Sequence, residues 1–210
     1  MKILLIGGTG GTGKQIIKQA LDRGHEVTAL VRNPKKVKMQ DPKLTLKKGD
    51  VLVPETLERS FQGHHVVISA LGHKKFFIKT TILSRGTRNI IQAMKSNQIS
   101  RFICITSLGI NDSRFKLGLY YTFFVIPFII LFYFLDKEKQ EGLIEKSDLD
   151  WTIVRPGQLT NGRKKGHYKQ GKGLGNYILT KMISRADVAN FILQELEGNN
   201  YVRKVAEITY

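Results

Sequence analysis

The feature that most constrains this chain is a run of glycines that directly follows a short apolar segment. Residues 3–6 read Ile-Leu-Leu-Ile, and residues 7–13 read Gly-Gly-Thr-Gly-Gly-Thr-Gly. A buried parallel strand, a sharp glycine turn and the first turn of a helix account for this order. Bare amides at such a helix terminus bind phosphate. The segment therefore predicts a dinucleotide site that includes Gly7, Thr9, Gly10, Gly11, Thr12 and Gly13.

Short apolar segments and helical patterns continue to alternate along the chain. We predict strands at 2–6, 26–31, 44–46, 65–70, 101–106 and 150–154, and helices at 13–21, 56–61, 82–94 and 185–196. This alternation is typical of a parallel sheet with helices on both faces. We predict an α/β, Rossmann-type doubly wound fold in one domain of residues 1–210. Residues 157–183 form a substrate-side loop region in a small C-terminal substrate lobe.

Two other kinds of site are excluded by residue type. Gly8 and Gly13-Lys14 fit the start of a nucleoside triphosphatase P-loop, but that motif needs Ser or Thr next, where this chain has Gln15. The histidines are scattered, and there is a single cysteine, so we expect no metal site. That cysteine, Cys104, lies within an apolar strand and is expected to be a buried small hydrophobe.

The residues after the second strand bear on the choice of cofactor. An NAD-specific site places an acidic residue there to bind the ribose 2′-hydroxyl. This chain instead has Arg32, followed by Asn-Pro-Lys-Lys, and its next acid is Asp41. A guanidinium can grip a 2′-phosphate with two hydrogen bonds. We therefore expect NADP to be preferred, with NAD as the alternative, and a solvated basic loop as the non-functional interpretation.

The charge balance is strongly basic, with 34 Lys and Arg against 17 Asp and Glu and a formal net charge of +17. Such a surface attracts polyanions, although a general excess of lysine also explains it. Residues 161–172 are basic but offer only Tyr168 for stacking, so we do not favour nucleic-acid binding. One cysteine and the short first apolar run favour a cytoplasmic protein. The oligomeric state is left open.

Residues 117–135 contain no charged side chain. Their length fits a membrane span, but a single crossing would place the fifth and sixth strands on opposite sides of the bilayer. Three interpretations stay open. The segment could lie in the core, line a pocket for an apolar substrate, or dock on an anionic membrane surface as in a peripheral membrane protein.

Several segments together resemble the atypical branch of the short-chain dehydrogenase/reductase superfamily, which includes flavin/biliverdin reductase-like and NmrA-like proteins. These segments are residues 7–13, 31–34, 49–51, 69–72, 106–107, 147–157 and 184–189. The resemblance implies that Asp50 and Val51 contact adenine. It implies that Ala70, Leu71 and Gly72 run beside the ribose and phosphates, and that Thr106, Ser107 and Pro156 lie near the nicotinamide.

The wider superfamily reduces carbonyls with a Tyr-x-x-x-Lys pair and a serine. Tyr133 and Lys137 have this spacing, and Ser107 would be the serine. Packing in an aromatic-rich run is the other interpretation of Tyr133. Two functions follow: an NADPH-dependent reductase of a flavin, quinone or small carbonyl acceptor, or a non-catalytic NAD(P)-binding redox sensor of the NmrA-like type. The short C-terminal region disfavours a sugar-nucleotide epimerase.

Overall fold

A computed structural model describes residues 1–73 and 76–210 of the chain. The strands in this part are β1 Lys2–Ile6, β2 Glu26–Val31, β3 Leu44–Lys48, β4 Val66–Ser69, β5 Arg101–Ile105, β6 Asp150–Pro156, β7 Gln158–Thr160, β8 Lys169–Gly171, β9 Met182–Ser184 and β10 Lys204–Thr209. The α-helices are α1 Gly11–Asp22, α2 Glu55–Phe61, α3 Ile82–Ser96, α4 Leu131–Glu145 and α5 Arg185–Gly198. A π-helix, Tyr121–Ile130, runs directly into α4.

The main sheet has the order β3-β2-β1-β4-β5-β6-β10-β8, and all its pairings are parallel except that of β8 with β10. The chain therefore winds outward from β1 in both directions, which confirms the predicted doubly wound fold. Helices α1 and α5 pack together, and α2, α3 and α4 form a second group. Ligands of such sheets bind beyond the carboxyl ends of the strands, where the winding reverses beside β1.

Two clusters of buried apolar side chains lie between the sheet and its helices. One joins the strands to α1 and α5 through residues such as Ile16 and Ile192, and the other joins them to α2, α3 and α4 through residues such as Leu57 and Ile90. Each fully buried aliphatic side chain stabilises the fold by roughly 1.5–3 kcal/mol. Cys104 belongs to the second cluster, as predicted, and burial raises the pKa of its thiol to about 12.

The C-terminal region is more regular than a loop. Strands β7 and β9 form a small parallel pair, and β8 extends the main sheet as an antiparallel edge strand against β10. Asp187 accepts hydrogen bonds from the backbone amides of Lys165 and Gly166, so the basic stretch is held to the start of α5. Within residues 157–183, predicted as a substrate-side loop region, the structure has β7, β8 and the start of β9.

The interpretation of residues 117–135 as core is wrong for most of the segment. Only Leu117 and Phe134 among its large apolar side chains are buried, whereas Phe128 is 74% exposed. Helices α3 and α4 pack together on this side of the sheet, and Tyr121, Ile126 and Ile130 of the π-helix are only partly buried, against a small cluster that includes Leu117 and Phe134. In the described part of the chain, no helix has the length and apolar character needed to cross a bilayer.

Candidate functional site

The glycine turn joins β1 to α1 at the carboxyl edge of the sheet. Gly7 has φ +86°, and a Cβ on it would stand 2.3 Å from the carbonyl oxygen of Ala70. A Cβ on Gly13 would stand 2.2 Å from the carbonyl oxygen of Gly7. The turn is closed by a 3.0 Å hydrogen bond from the Gly10 amide to the Gly7 carbonyl. Only glycine permits this close packing, so the turn exposes backbone where side chains would otherwise stand.

The amino terminus of α1 opens directly beside this turn. Its N-cap is Gly10, no side chain caps it, and no acidic residue lies in its first turn. Gly10 and Gly11 are exposed, whereas Thr12 is buried and Thr9 partly so. The amides of this first turn therefore have no side-chain cap, and the positive end of the helix dipole lies at the exposed Gly10 and Gly11. This arrangement fits a diphosphate.

Arg185, the first residue of α5, lies across the same turn. A Cβ on Gly11 would stand 2.7 Å from its Cδ and 2.9 Å from its Nε. The guanidinium is oriented by a 2.8 Å hydrogen bond from Nη1 to the Oδ1 of Asn161. The structure thus adds a cation at the amino terminus of α1 that sequence reasoning missed. Arg185 lies in residues 184–189, one of the segments on which the family resemblance rests, but that segment does not indicate a contact with the glycine turn.

Two further predicted segments meet at α3. A Cβ on Gly86 would stand 2.8 Å from Cγ2 of Val51 and 3.0 Å from Cδ2 of Leu71, so the missing side chain lets α3 approach both. Asn89 donates a 2.8 Å hydrogen bond from its amide to the Val51 carbonyl. The structure therefore brings the predicted adenine segment, after β3, and the predicted ribose segment, after β4, together at α3.

Arg32 follows β2 and Asp50 follows β3, the two strands on the side of β1 that faces away from β4. The Asp50 carboxylate accepts a 3.0 Å hydrogen bond from the Leu52 amide, which fixes its own loop. Arg32 is exposed directly after β2, and Asn33 caps the short 3₁₀ helix Pro34–Lys36 that follows. Arg32 therefore lies at the carboxyl edge of the sheet, the same edge as the glycine turn.

Tyr133 lies next to the segment predicted to run beside the cofactor. Its hydroxyl is 3.4 Å from the point where a Cβ on Gly72 would stand. The Nζ of Lys137 lies 5.1 Å from the Tyr133 ring centroid, and Lys137 is only 3% exposed. The ring also meets His73 edge-on at 4.9 Å. The Tyr-x-x-x-Lys pair therefore borders the predicted cofactor site.

Thr106 and Ser107 follow β5 but point to different partners. The buried Thr106 hydroxyl donates a 2.6 Å hydrogen bond to Glu141 of α4, and the Ser107 hydroxyl donates to the Leu108 carbonyl at 2.9 Å. Glu141 in turn accepts two hydrogen bonds from the buried Arg155, at 3.0 and 2.6 Å. The ion pair fixes α4 against the end of β6, where Pro156 is also buried.

A separate cavity of about 640 Å³ lies along β6 and β10. Its lining extends from Trp151 and Lys204, near the amino ends of β6 and β10, to Arg155 near the carboxyl end of β6. None of the residues predicted to contact the cofactor lines it. Because the glycine turn with its open helix terminus lies outside this cavity, we expect the dinucleotide at the turn.

The fold and the glycine turn define a dinucleotide-binding protein of the Rossmann class. The model of the NAD(P)H-binding family matches residues 7–199, and the chain belongs to that family. The resemblance read from the sequence is thereby confirmed. The family match extends from the glycine turn to the end of α5 and so includes Arg185.

Several known proteins are similar to this chain over nearly its whole length. An uncharacterized chloroplastic protein of Arabidopsis thaliana is 32% identical over 217 residues, which is 99% of this chain and 76% of that protein. Photosystem II assembly factor Ycf39 of Synechocystis is also 32% identical, over 97% of this chain, but the chain spans only 61% of Ycf39. The solved structure of ChuY, an anaerobillin reductase from Escherichia coli O157:H7, superposes with a TM-score of 0.83 at 22% identity, covering 100% of this chain and 97% of ChuY.

Proposed function

We propose that this protein is an NADPH-dependent oxidoreductase that passes a hydride to a flavin, quinone or small carbonyl acceptor. The observation that carries the proposal is the backbone cradle of the glycine turn, in which Gly7 and Gly13 leave no room for a side chain. So many glycines increase the conformational entropy that is lost on folding. We infer that they are present because a phosphate ligand binds the amides that they expose.

The diphosphate is bound by two groups on opposite sides of the turn. The uncapped amides that begin α1 donate hydrogen bonds, and the Arg185 guanidinium supplies positive charge from α5. Charge-assisted hydrogen bonds of this kind are roughly twice as strong as neutral ones. Gly11 is required because a side chain there would displace Arg185.

Arg32 distinguishes between the two nicotinamide cofactors. It stands after β2, where an acid would select NAD, and no Asp or Glu follows until Asp41. We assign it the 2′-phosphate of NADP, with NAD as a weaker ligand. The exposed position of Arg32 agrees with this role, because its side chain can reorient when the phosphate arrives.

When bound in its reduced form, the nicotinamide supplies the hydride. The residues of this chain then bind the acceptor and exclude water. Tyr133, beside Gly72, is assigned the donation of a proton to a carbonyl oxygen, and the buried Lys137 lies over its ring. Ser107 is assigned to the substrate oxygen. A flavin or quinone acceptor does not require Tyr133.

The experiment is a steady-state assay of NADPH oxidation at 340 nm with FMN, menadione and simple aldehydes as separate acceptors. Turnover with any of them that falls in Gly13→Ala at subsaturating NADPH supports the proposal. Tight NADPH binding without turnover by any acceptor contradicts the enzymatic part and leaves the binding site intact. Absence of both contradicts the assignment as a whole.

The second candidate is a non-catalytic NAD(P)-binding regulator. The observation that favours it is the 32% identity to a photosystem II assembly factor, together with a large exposed apolar surface of the kind that binds partners. Under this hypothesis the reduced and oxidised cofactors change the affinity for a partner and no acceptor is consumed. The same assay separates the two candidates.

A further inference from the structure

Two segments far apart in the chain expose large apolar side chains. Residues 119–132 include Phe123 and Phe128, which are 59% and 74% exposed, and residues 177–179 include Ile178 at 68%. We refer to these two segments together as the apolar surface. Soluble monomers seldom expose contiguous apolar patches larger than a few hundred Å², so a surface of this kind indicates a binding partner or a membrane.

The fold holds the two segments together. The Leu119 amide donates a 3.2 Å hydrogen bond to the Ile178 carbonyl, and the Thr180 hydroxyl donates a 2.8 Å bond to the Leu117 carbonyl. Between them, Gly118 has φ +86°, and a Cβ on it would stand 2.7 Å from the Thr180 nitrogen. The apolar surface is therefore a built feature of the fold, fixed by backbone contacts that require glycine.

The chain stretches that carry the apolar surface contain basic but no acidic residues, although Arg114 of the first stretch is paired with Glu138 of α4. The two segments of the surface lie within residues 113–135 and 151–186, neither of which contains an Asp or Glu. Lys116 and Lys181 stand at the ends of the two segments that meet there. A third apolar stretch begins at Phe76, whose ring contacts Tyr133 of α4. The next two residues, Phe77 and Ile78, are exposed, and exposed Lys79 follows them. Residues 59–111, which include this stretch, also contain no Asp or Glu.

We propose that the apolar surface docks this protein on an anionic lipid bilayer, with the π-helix lying in the plane of the headgroups. Aromatic and aliphatic side chains enter the headgroup boundary while lysines around them contact anionic headgroups. Exposed Tyr120 and Tyr177 suit that boundary, because a tyrosine has an apolar ring and a polar tip.

Charge decides between a bilayer and a second copy of the chain. Two copies that met through the apolar surface would place their basic edges opposite each other, at a net charge of +17 each. Like charges across an interface weaken association. An anionic bilayer gives the same apolar burial with attraction at the edge. Docking by this surface does not depend on the cofactor, so it stands or falls separately from the proposed reaction.

The test is flotation of the full chain with vesicles of phosphatidylcholine alone or with added phosphatidylglycerol, at low and high salt. We expect co-flotation with the phosphatidylglycerol vesicles at low salt and at least a tenfold lower partition coefficient at high salt or without the anionic lipid. Molar mass in solution is measured by light scattering at the same concentrations.

Two pairs of variants locate the contact. Phe123→Ser with Phe128→Ser removes exposed rings, and its control is Val53→Ser, an exposed apolar residue before α2. Lys116→Glu with Lys181→Glu reverses basic charge at the ends of the two segments of the apolar surface. Its control, with the same change in net charge, is Lys18→Glu with Lys146→Glu, on the outer face of α1 and the far end of α4.

Each variant pair should lower the partition coefficient at least tenfold, whereas each control should change it less than threefold. Because the substituted side chains are exposed or partly exposed, we expect the melting temperatures to stay close to that of the unsubstituted chain. If the serine pair unfolds, the lysine pair still tests the proposal. The proposal is overturned if the unsubstituted chain does not float at low salt, floats equally with both lipids, or forms a dimer in place of binding vesicles.

Discussion

Arg185 and Gly11 form a direct contact between α5 and the glycine turn. The guanidinium side chain lies where a side chain on residue 11 would stand, with Cδ 2.7 Å and Nε 2.9 Å from that Cβ position. Asn161 holds the guanidinium by a 2.8 Å hydrogen bond. The contact places a fixed positive charge at the open amino terminus of α1, where the diphosphate of a nicotinamide nucleotide is expected.

Arg185→Ala should therefore weaken cofactor binding. Loss of a charge-assisted hydrogen bond corresponds to about 1.5–3 kcal/mol, so the dissociation constant for NADPH should rise by roughly 10- to 150-fold. Arg185→Lys should recover part of the loss. Both are measured by isothermal titration calorimetry, with Arg203→Ala, an exposed arginine before β10, as the control. Unchanged affinity in Arg185→Ala would remove this residue from the site.

Gly13→Ala tests the close packing of the turn. Its Cβ would stand 2.2 Å from the Gly7 carbonyl oxygen and 2.9 Å from the Gly8 Cα, so the turn must move. We expect NADPH affinity to fall at least about tenfold and stability to fall by roughly 1–3 kcal/mol.

The matched control is Gly142→Ala in α4, where an added Cβ meets nothing within 4 Å. Replacing glycine by alanine in a helix interior should stabilise the protein by up to about 1 kcal/mol without changing cofactor affinity. Chemical denaturation and calorimetry give the two quantities. Equal affinities of the two variants for NADPH would contradict the assignment of the diphosphate to the turn.

The elements of the fold and the turn were predictable because their information is local. The apolar residues between Glu26 and Val31 predict strand β2, and the glycines predict the turn before α1. Arg185 was not predictable as a site residue, because only the packing of α1 against α5 brings it to Gly11. Its residue type and its place in a family motif are visible in the sequence, but its contact with Gly11 is not.

Burial of residues 117–135 was not predictable for a related reason. Apolar composition shows only that burial of a segment would be favourable. Whether the segment can pack on the sheet depends on which helices already cover that face. Phe134 is buried and Phe132 is exposed, two residues apart on one helix. Strand β8 was missed because Lys169, Gln170 and Gly171 carry no apolar pattern, and the strand joins the sheet through backbone pairing with β10.

Arg32→Asp tests the preference between cofactors. An acid at this place binds a ribose 2′-hydroxyl and repels a 2′-phosphate. We expect the dissociation constant for NADPH to rise at least about 100-fold, since a favourable charge pair becomes an unfavourable one, while that for NADH changes little. Titration of both nucleotides against the unsubstituted chain provides the comparison. If NADH already binds as tightly as NADPH and the substitution alters neither, the NADP assignment is wrong.

Tyr133→Phe separates a proton donor from a packing residue. A positioned general acid contributes about 100-fold or more to rate, so aldehyde reduction should lose at least that much in kcat/KM. Reduction of FMN or menadione should be nearly unchanged, because it needs no proton from this hydroxyl. Equal losses with all acceptors would show that the ring only shapes the site. No loss with aldehydes would show that Tyr133 is not the acid.

Asp187 provides the pH dependence that the structure predicts most directly. Burial by itself would raise the pKa of its carboxyl, but hydrogen bonds from Tyr210, Gly166, Lys165 and Ser184 outweigh it, so the pKa lies below its ordinary value. The bonds from Tyr210 and Gly166 are 2.5 and 2.8 Å long. These contacts hold the start of α5, and with it Arg185, against the end of β10.

A carboxyl whose pKa is depressed by folding stabilises the native state when ionised. Its contribution is complete above the unfolded pKa, near 3.9 for an aspartate, and is lost as pH falls through the lower folded value. Asp187→Asn should cost roughly 1.5–3 kcal/mol of unfolding free energy at pH 7, because charged acceptors are lost. That difference should stay constant from pH 7 to about pH 5 and shrink below about pH 4. Urea denaturation at each pH measures it, and a difference that grew on acidification would mean that the carboxyl is protonated in the folded state.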